Sequence, residues 1–289
     1  MARRYDTISF MTDYGTADEF VGLVKAVVRD LAPHVGFVDL THHVPAFDVR
    51  AGALTLARSI QYLPSGIVLG VVDPGVGTDR RAIAIEVAGG EGILVGPDNG
   101  LLAPAVALAG GAERAVVLDN PEFHLAAPGA TFAGRDVFAP VVAHLCNGTD
   151  LFELGSPIDA GELLPSVVPL PRLEQGALVC EVMWVDHFGN AQLNVGPSDL
   201  VEAWGPGWGE RVRVQIGDEM RSMPIVGAFG ELATSAPGLV LDSYGMLAIA
   251  LDRYSAATEL GIGVTDQIVL HLGDEPNGLT TPVQLRIQR

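Results

Sequence analysis

Apolar residues in the first half of the chain alternate between short strand-like runs and longer amphipathic runs. Short apolar runs occupy residues 7–11, 35–39 and 66–72, and helix-length segments with one apolar face lie between them at 19–31 and 50–62. Strands separated by such helices are typical of βαβ units, whose sheets are covered on both faces. The same alternation continues in residues 82–87, 92–95, 101–109, 115–118 and 137–145. The pattern predicts an α/β fold with a mostly parallel sheet flanked by helices.

A different pattern begins after Leu145. Residues 155–172 are rich in proline and lack periodicity, which is typical of a linker on the surface. Short alternating runs follow at residues 178–185, 191–195, 211–216, 238–241, 247–251 and 267–272. They predict a small antiparallel β-barrel or sandwich. We expect an N-terminal α/β domain over residues 1–170 and a C-terminal β-barrel domain over residues 171–289.

Length and charge narrow the functional classes. The 289 residues are enough for two domains with cores of their own. The formal net charge is −18, from 17 Lys plus Arg against 35 Asp plus Glu, so nucleic acids and anionic membranes would be repelled. An export signal and a membrane span are not expected, and Cys146 and Cys180 lie in apolar runs typical of buried thiols. We expect a cytoplasmic protein without nucleic-acid or membrane partners.

The acidic, glycine-rich segment VVDPGVGTDRR, residues 71–81, follows a predicted buried strand. Ligands of α/β proteins collect at the carboxyl ends of strands, and glycines let the backbone approach them closely. The segment lacks the GK[ST] and GxGxxG signatures, and its carboxylates would repel phosphate, so a cationic ligand fits it better. A hairpin with a surface Asp–Arg pair is an equally good interpretation of this segment alone.

Three further segments carry polar residues at a predicted strand end or helix start. In FMTDYG, the Asp13 carboxylate can accept hydrogen bonds from both hydroxyls of a ribose, although capping of a turn or helix is slightly favoured. In GPDNGLL, Asn99 and Gly100 favour a structural turn. In TFAGRDVFAP, Asp136 is favourable near a helix start whatever the function.

The segment DHFGN, residues 186–190, interrupts two predicted strands in the second half of the chain. Its aromatic ring and amide can stack on and hydrogen-bond to a flat base, and a β-turn is an equally economical interpretation. The histidines show no metal-ligand spacing, and a GxSxG nucleophile motif is absent from the sequence. We therefore expect no metal site and no serine hydrolase chemistry.

Taken together, six segments resemble the S-adenosylmethionine (SAM) hydroxide adenosyltransferase family, whose relatives include the fluorinase and chlorinase. They are FMTDYG, DLTHHVPAFDV, VVDPGVGTDRR, GPDNGLL, TFAGRDVFAP and DHFGN, in this order. The resemblance implies an α/β domain, a β-barrel domain, and a homotrimer with active sites between neighbouring subunits. It also implies that SAM and water give adenosine and L-methionine, with SAM as substrate and no cofactor.

The resemblance also implies roles for residues at matching motif positions. Asp13 would hold the ribose hydroxyls, and Phe47 would lie beside the ribose. Phe188, Asn190 and Phe229 would frame the adenine. The full set of implied substrate-binding residues is Asp13, Phe47, Asn99, Asp186, Phe188, Asn190, Phe229 and Ser243. Ser243 would meet the methionine end, and Asn99 is the weaker candidate.

Asp73 occupies the family position of the group that orients the attacking water, and Arg80 would hold it ionised and aimed. The fluorinase has Tyr where this chain has Asp73. A carboxylate would repel a halide, so Asp73 favours hydrolysis, with a chlorinase-like activity as the alternative.

Ala133 departs from the family pattern, because hydroxide-transferring members carry His at this position. Alanine cannot hydrogen-bond or accept a proton through its side chain, so the third catalytic role is empty unless His124, His144 or a water fills it. Loss of such a group costs roughly two to four orders of magnitude in rate. We therefore expect slow turnover, or binding of SAM or adenosine without turnover.

Overall fold

The computed structural model describes residues 4–273. They form two compact units that divide between Val168 and Pro169, which we call the N-terminal and the C-terminal unit. The domain bounds predicted from the sequence, residues 1–170 and 171–289, stay a prediction. Residues 1–3 and 274–289, which those domains include, lie outside the described residues.

The N-terminal unit is built on a seven-stranded sheet with helices packed against it. Its strands are β1 (Thr7–Thr12), β2 (Gly36–Thr41), β3 (Gly66–Val71), β4 (Ala82–Val87), β5 (Gly92–Pro97), β6 (Arg114–Val117) and β7 (Ser156–Pro157). Its helices are α1 (Phe20–Leu31), α2 (Val49–Ser59), α3 (Ala103–Leu108) and α4 (Ala139–Cys146). The predicted α/β fold class is confirmed.

The sheet has a parallel part and an antiparallel part. The strand order is β2-β1-β3-β5-β4-β6-β7; β2, β1, β3 and β5 run parallel, and β4, β6 and β7 run antiparallel to their neighbours. Helix α1 connects β1 to β2, and helix α2 connects β2 to β3. Each helix carries the chain back to the end of the sheet where the previous strand began, so the three strands run parallel. The carboxyl ends of β1 and β3 therefore lie side by side.

Each face of the parallel part is covered by helices. Phe10 and Leu69 belong to the core formed with α1 and α4. On the other face Gly70 lies against Leu56 of α2. Helix α2 begins where the Asp48 carboxylate accepts a hydrogen bond of 2.9 Å from the Ala51 amide, which satisfies an otherwise free helix N–H. The central parallel strands β1 and β3 are thus largely apolar on both faces, and the acidic residues Asp13 and Asp73 lie just beyond their ends.

The C-terminal unit is a closed β-barrel with two short helices. Its strands are β8 (Arg172–Glu174), β9 (Ala177–Val185), β10 (Ala191–Leu193), β11 (Arg211–Ile216), β12 (Glu219–Val226), β13 (Gly238–Leu241), β14 (Leu247–Ala250) and β15 (Gln267–Leu272). Its helices are α5 (Pro197–Trp204) and α6 (Ala256–Leu260). Seven strands close the ring, because β9 pairs with both β15 and β10, while β8 pairs with the first part of β9. The predicted barrel is confirmed, and one pair, β12 with β13, is parallel.

Four elements of the barrel unit were not predicted from the hydrophobic pattern, namely the three-residue strand β8, strand β12 and helices α5 and α6. The first half of strand β12 is exposed and its second half contains Pro224, so the strand shows no clear apolar alternation. Helices α5 and α6 are only 8 and 5 residues long. Short helices depend on tertiary packing rather than on their own periodicity.

Within residues 4–273, no helix is long and apolar enough to cross a bilayer.

Candidate active site

Asp13 and Asp73 follow neighbouring parallel strands of the N-terminal unit. Thr12, the last residue of β1, lies opposite Val71, the last residue of β3. The Asp13 amide donates a hydrogen bond of 3.4 Å to the Val71 carbonyl. The pairing of the strands thus brings the two acidic side chains to the same edge of the sheet.

Arg80 holds the Asp73 carboxylate with two hydrogen bonds. Its Nε donates to Oδ1 at 2.9 Å, and a terminal guanidinium nitrogen donates to Oδ2. The Asp73 and Arg80 side chains are only 5% and 11% exposed, and the guanidinium carbon lies 5.7 Å from the centre of the Phe138 ring. A planar fork in a buried setting fixes both the position and the plane of the carboxylate.

Burial raises the pKa of the Asp73 carboxyl above its ordinary value, and the negative charge of Asp13 raises it further. Arg80 and the Gly75 amide lower this pKa without offsetting the effect of burial. Sequence reasoning expected Arg80 to keep Asp73 ionised and aimed. The structure shows that the arginine aims the carboxylate, which keeps an increased affinity for a proton. This is the property of a stronger general base.

Within residues 4–273, Asp13 uses one carboxylate oxygen for a hydrogen bond. The Phe47 amide donates a hydrogen bond of 2.9 Å to Asp13 Oδ2. Phe47 has a positive φ of 67°, which is uncommon for a residue other than glycine, and its side chain is 72% exposed. The Asp13 contact therefore fixes the turn that presents the Phe47 ring at the surface of this unit.

Asn99 supports the strand end that precedes Asp73. Its Nδ2 donates to the Val72 carbonyl at 2.9 Å, and its Oδ1 accepts from the Leu101 amide at 3.1 Å. Both ends of the side-chain amide thus bind backbone atoms. These bonds position the start of the acidic loop, and substrate contact by Asn99 stays a prediction.

Ala133 lies at the start of a π-helical turn, Gly134–Phe138, which leads into α4. Such turns are rare and occur frequently at functional sites. Ala133 lines an open groove of about 570 Å³ together with Arg80, Asp136 and His124. Ala133 thus shares the lining of this groove with Arg80, the residue that holds Asp73.

Of the two histidines considered as replacements at this position, His124 lies in the groove. Its Nε2 is buried without a hydrogen-bond partner among the described residues, and burial lowers the His124 pKa, which favours the neutral imidazole. His144 lies on α4 and packs edge-on against the Phe123 ring at 4.9 Å.

Tyr14 and Phe132 belong to this edge and were not predicted as site residues. The Tyr14 ring contacts those of Phe20 and Phe132, with centroids 5.7 and 5.8 Å away, and the Arg135 guanidinium lies over Phe132 at 5.1 Å. Both residues stand within motifs that sequence analysis singled out. For Tyr14 the sequence offered a signal, because this aromatic residue directly follows Asp13 at a predicted strand end.

In the C-terminal unit, Asp186 organises the turn between β9 and β10. Its Oδ1 accepts from the amides of Phe188 and Asn190, both at 2.9 Å, and its Oδ2 accepts from Asn190 Nδ2 at 2.8 Å. Gly189 has a φ of 85° and packs against Ser255, so that a side chain there would overlap the serine. The turn presents the Phe188 ring, which is 75% exposed, while Asn190 is buried.

Ser243 and Phe229 lie on other turns of the barrel. Ser243 is exposed between β13 and β14, next to Asp242, whose carboxylate accepts from Gln192 of β10. Phe229 lies in a short helical turn after β12 and is partly exposed. The Asp242–Gln192 bond links the Ser243 turn to the strand that follows Asn190. Substrate binding by these residues stays a prediction.

The described residues contain no group of three or more His, Cys, Asp or Glu side chains arranged to hold a metal ion. Cys146 and Cys180 are buried free thiols, and burial raises the pKa of each to about 12.

The chain thus combines an α/β unit with a β-barrel unit. In the α/β unit, a buried carboxylate is fixed at the ends of the parallel strands, which is typical of enzymes of the α/β class. Residues 8–155 match the SAM hydroxide adenosyltransferase N-terminal domain, and residues 180–269 match the C-terminal domain of the same family. The chain belongs to the SAM hydroxide adenosyltransferase family.

Individual relatives agree with this assignment. An (R)-S-adenosyl-L-methionine hydrolase of Salinispora tropica is 43% identical over 266 residues, covering 92% of this chain and 98% of the relative. A fluorinase of an Actinoplanes species is 29% identical, covering 84% and 90% of the two chains. The crystal structure of an uncharacterized conserved protein from Thermotoga maritima superposes with a TM-score of 0.83 at 33% identity, covering 91% of this chain and 99% of that one.

Proposed function

We propose that this protein hydrolyses SAM to adenosine and L-methionine, and that its substrate is the (R)-sulfonium epimer named for its hydrolase relatives. The observation that carries the proposal is the Asp73 carboxylate, which is buried, fixed by Arg80 and given a raised pKa at the carboxyl edge of the sheet. These are the properties required of a group that directs water and takes its proton.

The chemistry requires little beyond positioning and a base. The sulfonium leaves as the neutral thioether of methionine, so the leaving group needs no acid. Water forms a bond to the ribose C5′ as the C5′–S bond breaks, and one of its protons passes to Asp73. Holding the water in line with the C5′–S bond supplies much of the rate. SAM and water alone balance the reaction, so no cofactor is required.

The same edge suits the charge and the ribose of the substrate. Asp13 and Asp73 place two carboxylates beside a cationic sulfonium, an arrangement that attracts it more strongly in a partly buried site than in water. Because Phe47 uses only Asp13 Oδ2, Oδ1 stays available to accept a ribose hydroxyl. In this proposal the exposed Phe188 ring stacks on the adenine, and Asn190 Oδ1 accepts a hydrogen bond from it.

Incubation with the separated (R) and (S) epimers of SAM tests this function. We expect adenosine and methionine in equal amounts from the (R) epimer, with ¹⁸O from labelled water in the adenosine 5′-hydroxyl. The Asp73→Asn variant is the matched control. A halogenated nucleoside formed in chloride would establish the halogenase alternative, and its absence would agree with repulsion of halide by Asp73.

Ala133 favours a second candidate function, namely binding of SAM or adenosine without turnover, because no polar side chain occupies this position in the groove. Calorimetric binding of SAM, followed by recovery of intact SAM after prolonged incubation, would establish that function and reject hydrolysis.

We further propose that the protein works as a homotrimer with substrate held between subunits, as the family resemblance implies. The exposure of the Phe47 and Phe188 rings supports this, because large exposed aromatic rings are typical of surfaces covered on binding. Light scattering should give three times the chain mass.

Subunit mixing tests the shared site. Asp73→Asn subunits and Phe188→Ala subunits, each inactive alone, should regain activity when co-expressed, because some interfaces then combine two intact halves. Lack of recovery in mixed oligomers would mean that each site lies within one subunit.

A further inference from the structure

The hydroxyl of Tyr14 faces the turn that begins beside Ala133. A Cβ placed on Gly134 would overlap the Tyr14 hydroxyl oxygen, so this oxygen lies directly against the glycine. The ring is held in that direction by Phe20 and Phe132. The Tyr14 amide donates to Thr12 Oγ1 at 3.2 Å, which fixes its backbone at the end of β1. The phenol is thus anchored at both its backbone and its ring.

Tyr14 lies among the charges of the candidate active site. Burial raises the pKa of its hydroxyl, the carboxylates of Asp13 and Asp73 raise it further, and Arg80 lowers it less. The phenol therefore keeps its proton throughout the physiological range. It is a neutral hydrogen-bonding group within the electrostatic reach of the carboxylate proposed as the base.

Packing alone does not account for the hydroxyl. The aromatic contacts of Tyr14 with Phe20 and Phe132 involve its ring and would be kept by phenylalanine. The hydroxyl has no hydrogen-bond partner among the described residues, and Tyr14 is only partly buried, so water can reach it. A water molecule at this position would satisfy the hydroxyl, and the adjacent residue, Ala133, offers no side-chain group to hold such a water.

We propose that the Tyr14 hydroxyl holds the attacking water against Asp73. The inference rests on the proposed hydrolysis. As the water oxygen bonds to C5′ and the C5′–S electron pair leaves with the thioether, one proton passes to Asp73. The other hydrogen stays on the new 5′-hydroxyl, and the Tyr14 oxygen accepts it as a hydrogen bond. Tyr14 is then a catalytic residue that touches the nucleophile without changing its own protonation.

Removal of the hydroxyl alone tests the role. Tyr14→Phe should lower kcat about tenfold, the effect of one lost hydrogen bond in the transition state, and leave KM and the calorimetric Kd for SAM unchanged. Tyr62→Phe is the matched control, because Tyr62 belongs to the same unit and its side chain is 70% exposed. A merely structural role would change melting temperature or KM instead of kcat.

A double-mutant cycle tests the geometry. Gly134→Ala should lower kcat in the wild-type background, because the new methyl displaces the hydroxyl, and should cost less in the Tyr14→Phe background, where the nearest ring carbon lies 3.2 Å away. Equal costs in both backgrounds, or a fully active Tyr14→Phe enzyme, would overturn this inference alone. Absence of adenosine from the wild-type protein would overturn the proposed hydrolysis and this inference with it.

Discussion

Two of the buried carboxylates that pair with arginine in the N-terminal unit, Asp73 and Glu86, have pKa values shifted in opposite directions. Asp73 has one arginine, Arg80, and burial raises its pKa. Glu86, near the end of β4, contacts both Arg4 and Arg114, and the hydrogen bonds from Arg114 hold its pKa below the ordinary value. The two side chains are almost equally buried, at 5% and 6% exposed.

The difference lies in how completely each carboxylate is satisfied. Arg114 donates twice to Glu86 and Arg4 adds a further bond, so the charged form is stabilised beyond the cost of burial. Asp73 lies near Asp13 and receives a single guanidinium, so part of the burial cost stays uncompensated. An arginine partner thus does not by itself show that a buried carboxylate is structural. The pKa direction separates Asp73, the proposed base, from Glu86.

The largest effect should follow from Asp73→Asn. The amide keeps the shape of the side chain but cannot take a proton, so the rate of adenosine release should fall about a thousandfold. Glu86→Gln is the matched control, since it replaces a carboxylate by an amide at another buried, arginine-paired side chain. Initial rates by liquid chromatography compare the two variants, and equal losses would remove the distinction between the pairs.

Ala133→His should produce the next largest effect, in the opposite direction. An imidazole placed in the groove that Arg80 lines would supply a second group for the water, and the rate should rise about a hundredfold. Ala133→Leu controls for simple filling of the groove and should not raise the rate. An unchanged rate with a folded Ala133→His protein would contradict the role assigned to position 133.

Much of the fold was predictable because its signals are local. Strand β4 matches the predicted residues 82–87, and the acidic residues after β1 and β3 follow from where the apolar runs end. Parallel pairing then places Asp13 beside Asp73. The direction of the Asp73 pKa was not predictable, because it depends on how deeply the folded chain buries the carboxylate.

Other features depend on contacts between segments far apart in the chain. The Tyr14 hydroxyl lies against Gly134, which is 120 positions further along the sequence, so its surroundings depend on the folded chain. The backbone of Phe47 adopts a positive φ beside Asp13, which no local pattern indicates. Sequence therefore located the motifs at the edge of the sheet, whereas their electrostatics and orientation required the packed structure.

Glu86→Gln should reduce stability while leaving chemistry intact. It replaces charge-assisted hydrogen bonds by neutral ones beside two arginines, which should lower the free energy of unfolding by about 2 kcal/mol. Urea denaturation followed by circular dichroism measures the change, with Glu113→Gln on the surface as the control. A fall in kcat of the folded variant would show that the second pair also supports the site.

The two carboxylates should also separate activity from stability as the solution is acidified. Hydrolysis needs deprotonated Asp73, whose raised pKa means that kcat should start to fall, about tenfold per pH unit, at a pH above the ordinary aspartate value of 3.8. Glu86 has a lowered pKa, so its stabilising contribution is present above the ordinary glutamate value of 4.5 and is lost only as pH falls through its lower value in the folded protein. Asp13 and Arg80 shift the Asp73 limb in opposite directions, and Tyr14 stays protonated across this range.

Rates and melting temperatures measured across the same buffers should therefore show an acidic interval in which the protein is folded but inactive and recovers on return to neutral pH. Simultaneous loss of activity and melting transition would contradict the assignment of the raised pKa to the reactive carboxylate.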